Sequence, residues 1–316
     1  METSEKRRLS PFSEGIGPAI VYIGFRAGAW IAERAPMELS TRFVRVIARV
    51  AFRFAKGKRA VVEANLARVV GNGPHLHSVV EQAFESYAEY WLETFRLGRY
   101  SASALSAMVD ADQETLDSMN GAFAEGKGVI LATAHIGFYD LGVAWVGVSG
   151  WPFTTVAEVL RPRALFEWFA AIREKRGMKV IASKPGDVAR KRLIETVKAG
   201  EGVAILAERD LGRRGVWIEL FGESTTAPVG PGLLVTETKA PLLVGAAFKE
   251  GSRFRVIFRR VAYDPSDDVA AISQLIAHRL ESLIRMHPEQ WHLFTTNWPS
   301  DEKHLPPRGP LGSSSD

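Results

Sequence analysis

The chain has 316 residues, 46% of them hydrophobic and 24% charged, with 40 Lys and Arg against 36 Asp and Glu and no cysteine. This is the composition of a globular protein with a sizeable core, not of a disordered or fibrous one. The missing thiols exclude a disulfide scaffold, a thiolate nucleophile, an iron–sulfur centre and a cysteine zinc site, and they fit a reducing cytoplasmic compartment.

The net charge of +4 is unevenly placed: the first 60 residues carry +7 and the remainder −3. No segment reads as a membrane span, because the longest uncharged run, 141–157, is broken by Gly142, Gly147, Gly150 and Pro152. Arg26, Glu33 and Arg34 interrupt the apolar run that a signal peptide would need.

Hydrophobic periodicity predicts four opening helices, at about 14–34, 37–56, 58–71 and 74–98, the last carrying Val79, Phe84, Tyr87, Trp91 and Phe95 on helical spacing. In the second, Arg42, Arg45, Arg49, Arg53 and Lys56 share a sector about 80° wide. Phe43, Ile47, Val50 and Phe54 line the sector's edge. A helix lying in an anionic membrane surface has this pattern, and so does a surface helix with a solvated basic face. Nucleic acid is a poor fit, since the sector lacks interleaved aromatics and the rest of the chain is acidic.

From residue 112 the rhythm changes. A polar helix at 112–125 leads into strand-like runs at 128–133, 153–156, 179–182, 203–207, 216–221, 242–248 and 254–258, with helical patterns between several of them. Alternating strand and helix implies a largely parallel sheet covered on both faces. The predicted architecture is α/β, a mostly parallel central sheet flanked by helices with an N-terminal helical subdomain. The expected divisions are a membrane-associating helical part at 1–110, a core at 111–299 and a loose Pro-, Gly- and Ser-rich tail at 300–316. A last helix is expected near 269–286.

Several motifs fail on inspection. Gly121-Ala-Phe-Ala-Glu-Gly126-Lys127-Gly128 lacks the terminal Ser or Thr of a phosphate-binding loop and sits between helix and strand in the reverse order. Gly147-Val-Ser149-Gly150-Trp151 is not a nucleophile elbow. His75 and His77 stand in a Pro/Gly/Asn-rich stretch without convincing metal spacing, so no metal site is expected.

Two segments remain. His135-Ile-Gly-Phe-Tyr-Asp140 stands just past the apolar strand ending at Thr133, where α/β proteins place ligands. A neutral imidazole there could take the proton of an attacking alcohol, with a carboxylate holding its tautomer. A histidine after a strand can equally be a structural hydrogen-bonding group. Glu208-Arg209-Asp210 leaves another strand end, either as part of the same site or as a salt-bridged cluster at a sheet edge.

These residues resemble a known family. His135 and Asp140 fit the H-x4-D motif of the glycerolipid and lipid A-type acyltransferases. Residues 207–231, with Glu208-Arg-Asp-Leu-Gly-Arg-Arg-Gly215 and Pro228-Val-Gly-Pro231, are similar to the matching loop of the phosphatidylinositol mannoside acyltransferases. Further matches, in order from about 60 to about 298, are Asn65-Leu-Ala-Arg-Val69, Ser86-Tyr87, Tyr90-Trp91, Phe95-Arg-Leu97, Phe153-Thr-Thr-Val-Ala-Glu158 and Ile172-Arg173-Glu174. The chain departs from the pattern at Ile136 to Tyr139, where relatives carry small or polar residues, and at Leu233, where a basic residue is frequent.

The resemblance implies transfer of a fatty acyl group, typically palmitoyl, from its coenzyme A thioester to a mannose hydroxyl of a phosphatidylinositol mannoside. His135 would be the base and Glu208 its partner; Asp140, Arg173, Arg209 and Asp210 would support the site or bind substrate. No cofactor is implied beyond acyl-CoA as co-substrate, and the enzyme would sit peripherally on the cytoplasmic face of the inner membrane. A lipid A precursor or lysophospholipid acceptor, or a non-catalytic lipid-binding member of the fold, are the alternatives. Trp145, Phe166, Trp168 and Phe169 are plausible walls for an acyl tunnel, and backbone N–H groups near Gly137, or Arg173, plausible oxyanion donors.

Overall fold

A computed structural model describes residues 11–183, 188–210 and 212–301. Four helices come first: α1 (Ile16–Arg34), α2 (Met37–Phe54), α3 (Lys56–Val70) and α4 (Leu76–Arg96). A short helix α5 (Ala102–Met108), started by the Ser101 hydroxyl accepting from Ala104 N–H, leads into β1 (Val109–Ala111). The Asp112 carboxylate caps α6 (Gln113–Ala124) in the same way.

There follow β2 (Val129–Thr133), α7 (Tyr139–Val148), β3 (Phe153–Glu158), α8 (Arg163–Glu174), β4 (Lys179–Ser183), α9 (Val188–Lys198) and β5 (Gly202–Leu206). The chain continues through β6 (Val216–Leu220), β7 (Glu223–Ala227), α10 (Val229–Thr238), β8 (Leu242–Glu250), β9 (Arg253–Val261) and α11 (Val269–Met286).

Seven strands form one sheet in the order β1-β9-β8-β2-β5-β3-β4. All neighbours are parallel except the β8–β9 hairpin, so β1 and β9 run against the other five. The mostly parallel α/β sheet read from the sequence is therefore the observed one. Along β2, side chains alternate between two cores. Ile130 and Ala132 face one built with α3, α4, α10 and α11. Val129 and Leu131 face the other, built with α6 and α7.

Some elements escaped the pattern. β6 is strand as expected but lies outside the main sheet, paired antiparallel with β7. The polar run Glu-Ser-Thr-Thr-Ala of β7 carries no strand signal, and the turn between them, Phe221-Gly222, has positive φ at both residues, as a two-residue hairpin of the twisted type requires. α5 and β1 are too short to show a period. Of the expected loose tail at 300–316, the first two residues are tied down, because Arg68, lying over the Trp298 ring, hydrogen-bonds Ser300 Oγ and both oxygens of Asp301; residues 302–316 fall outside the described ones. Among the described residues, no helix is long and apolar enough to cross a membrane.

Candidate active site

Strand register brings the two sequence segments together. Thr133 of β2 lies opposite Leu206 of β5, so the residues two past each strand end, His135 and Glu208, emerge side by side. His135 Nδ1 lies 2.5 Å from Glu208 Oε1, and the same oxygen accepts from the His135 backbone N–H at 2.8 Å. Glu208 is 1% exposed. Burial alone would raise its carboxyl, but the His135 ring and the two hydrogen bonds hold it below the ordinary value, so it is the ionised form that the site keeps. An ionised Glu208 accepts the Nδ1 proton, which leaves His135 Nε2 as the basic nitrogen. Asn297 Nδ2 donates to the Glu208 carbonyl and fixes that loop from behind.

The loop from His135 to α7 is fastened on both sides. His292 N–H donates to the His135 carbonyl, Gly137 N–H to Gln290 and Phe138 N–H to Ala247. Gly137 has φ +61°, and a Cβ there would lie 2.1 Å from the Ala247 carbonyl oxygen. Only glycine allows this approach. The expectation that N–H groups near Gly137 serve as oxyanion donors is corrected by these bonds: at Gly137 and Phe138 the donors are already used.

Asp140 is buried in the first turn of α7. Its carboxylate accepts two bonds from Arg173, at 2.9 and 2.5 Å, and one from Tyr90 OH at 2.6 Å. Burial and the Asp140 charge push the Tyr90 phenol well up, so it stays a donor. Burial would lower Arg173, but Asp140 keeps it firmly protonated. The group ties α4, α7 and α8 together. Tyr90 stacks on Tyr139, whose ring edge meets the His135 ring.

A cavity of about 510 Å³ opens at His135, within the roughly 300–1,000 Å³ range usual for ligand sites. Tyr139, Arg173, Arg209 and His292 line its polar end, and Leu131, Val143, Val146, Met178, Ala204 and Phe258 its apolar interior. From Tyr139 to Val146 it follows α7 for about 10 Å.

His135, Asp140, Arg173 and Arg209 all line this space, and Glu208 lies directly behind His135. Asp210 does not line it: its carboxylate accepts from Gly212 and Gly215 N–H and shapes the loop that carries Arg209. Of the expected tunnel aromatics, Phe166 and Phe169 are wall residues. Trp145 instead packs on Trp151 and Phe258, and Trp168 on Phe95 under Arg26.

Sequence reasoning missed His292. Its Nε2 meets Ser86 Oγ at 2.9 Å, its Nδ1 is buried without a partner, and burial, aided by His135, lowers it to about 3. It follows no strand and fits no motif, so no local signal marks it.

Comparison with known proteins bears on what this arrangement does. Residues 16–300 match the family model described as bacterial lipid A biosynthesis acyltransferase. The chain is 36% identical over 279 residues to a phosphatidylinositol mannoside acyltransferase of Mycobacterium tuberculosis strain CDC 1551 / Oshkosh, a match covering 87% of this chain and 88% of that protein. It is 32% identical over 289 residues to a protein of the same name from Mycolicibacterium smegmatis, covering 90% and 94% respectively.

Proposed function

The chain belongs to the bacterial lipid A biosynthesis acyltransferase family, and from that premise we propose that it moves a fatty acyl group, palmitoyl foremost, from acyl-CoA to a mannose hydroxyl of a phosphatidylinositol mannoside. The observation that carries this reading is the His135–Glu208 pair at the polar end of a cavity whose interior is apolar.

In this reading the acceptor hydroxyl gives its proton to His135 Nε2 as its oxygen attacks the thioester carbonyl carbon. The imidazolium so formed rests against the ionised Glu208, in surroundings that favour the charge pair. The new C–O bond forms, the tetrahedral oxyanion collapses, the C–S bond breaks, and the departing coenzyme A sulfur takes the proton back from Nε2. No covalent enzyme intermediate is needed, in keeping with a chain that has no cysteine. The apolar interior would hold the acyl chain.

The membrane supplies the acceptor. Fourteen of the eighteen exposed large hydrophobics among the described residues lie between Phe12 and Phe54, on α1, α2 and the turns beside them. Clustering on that scale marks a contact surface rather than scattered exposure, and it supports peripheral docking on a membrane, in our proposal at its cytoplasmic face.

The test is mass spectrometry of the lipid formed from palmitoyl-CoA and a panel of phosphatidylinositol mannosides, lipid A precursors and lysophospholipids. A mannoside gaining one palmitoyl group is expected. Transfer to a different acceptor class would reassign the acceptor, and failure to acylate any of them would overturn the enzyme reading.

A further inference from the structure

Once Asp140 and Arg173 are paired and Glu208 is engaged by His135, the other charged side chains on the cavity wall are Lys58, Arg209 and Glu158. Neither cation pairs with a carboxylate among the described residues; Lys58 Nζ donates to the Phe294 carbonyl at 3.3 Å. The next residue, Thr295, also lines the cavity, and its hydroxyl is buried with no hydrogen-bond partner. A buried hydroxyl left unsatisfied costs stability unless a ligand answers it.

The segments that carry both cations are fastened to the fold. Lys58 stands in the first turn of α3, and Asn65 of the same helix donates to the Leu293 and Thr295 carbonyls, joining α3 to the segment with the free hydroxyl. Arg209 sits on the loop that Asp210 shapes through Gly212 and Gly215.

We propose that Lys58, Arg209 and the Thr295 hydroxyl form a phosphate-ester subsite at the cavity mouth. The inference rests on the acyl-transfer reading and names a binding element within it. Both proposed substrates carry phosphate esters: the acceptor's phosphodiester joins inositol to the lipid, and coenzyme A has its own phosphates. Position favours the acceptor. Lys58 follows by four residues the exposed Phe54 that ends the apolar face of α2, so an acceptor still seated in the membrane would meet Lys58 with its phosphate while its sugar reached His135.

The experiment compares the full-length wild type, K58Q/R209Q and T295V by calorimetric titration with glycerophosphoinositol and, separately, adenosine 3′,5′-bisphosphate. Binding of glycerophosphoinositol that weakens at least about tenfold in the double variant, and less in T295V, is the expected result. The same loss seen only with the bisphosphate would support the subsite with coenzyme A as its source. Binding of neither probe by the wild type, or equal binding by wild type and double variant, would overturn it.

Kinetics supply a second readout. K58Q should raise KM for the mannoside about tenfold with kcat little changed, and K58R should restore most of it. These titrations need no turnover. A wild type that transfers no acyl group would overturn the acyl-transfer reading while leaving the phosphate site to be judged by binding alone.

Discussion

At position 135 an alanine would leave the acceptor hydroxyl without its proton acceptor. For His135→Ala a loss of about 10²–10⁴ in kcat is expected, read as coenzyme A release. Glu208→Gln keeps the shape but removes the charge that stabilises the imidazolium, and a loss of at least about 10² is expected, with the far-ultraviolet dichroism of both variants unchanged. Asp140→Asn acts differently, because it leaves the Arg173 guanidinium buried without its counter-charge. About 3 kcal/mol of stability should disappear in urea unfolding.

His292 sets an acid limit. Its ring titrates near 3 in the fold and at the ordinary value of about 6.5 in the unfolded chain. Between those values the unfolded chain binds the extra proton, so stability falls as pH drops through that window, by up to about 1.4 kcal/mol per unit from this residue. His292→Gln should flatten the slope of melting temperature against pH below about 6.5; an unchanged slope would remove His292 as its source.

Among the elements, α2 shows how a sequence pattern can be right in outline and divided in detail. The basic sector does not act as one face: all four arginines are exposed, but Arg45 and Arg49 pair with Glu89 and Glu85 of α4, at 2.5 and 2.6 Å, while Arg42 and Arg53 form no ion pair among the described residues. The apolar edge is the more telling feature, with Phe43 64% and Phe54 73% exposed.

The proposed docking therefore predicts that Phe43, Ile47, Val50 and Phe54 changed together to Ser will largely abolish sedimentation with anionic vesicles. Arg42→Gln with Arg53→Gln should weaken it by severalfold, as should salt acting on the wild type. Changing Arg45 or Arg49 would confuse the result, since α4 also carries the Ser86 and Tyr90 that contact His292 and Asp140.

For the molecule as a whole, one cavity joins the polar end at His135 to an apolar interior walled by strands and by α7. Val146→Phe places an aromatic ring along that interior. In the proposed reaction it should lower kcat/KM for palmitoyl-CoA at least about tenfold relative to a shorter acyl-CoA, with a stability cost of about 1–3 kcal/mol from overpacking. Equal losses for both chain lengths would show that Val146 does not bound the acyl chain.

Read alone, the sequence determined the opening helices, most of the strands, the α/β class and the residues to watch. The elements depend on local period, and His135, Asp140 and Glu208 on position just past an apolar strand, whereas Arg173 came from the family resemblance. It also placed His135 and Glu208 in separate segments 73 residues apart without a contact between them. The family resemblance names Glu208 as the partner of His135; the tertiary structure supplies the contact itself, because the meeting is set by the register of β2 on β5. It likewise decided that Asp140 answers Arg173 and Tyr90 from two other helices, that Asp210 shapes a loop instead of lining the cavity, and that His292 stands beside the base. Those outcomes come from packing between elements far apart in the chain, and no local period records them.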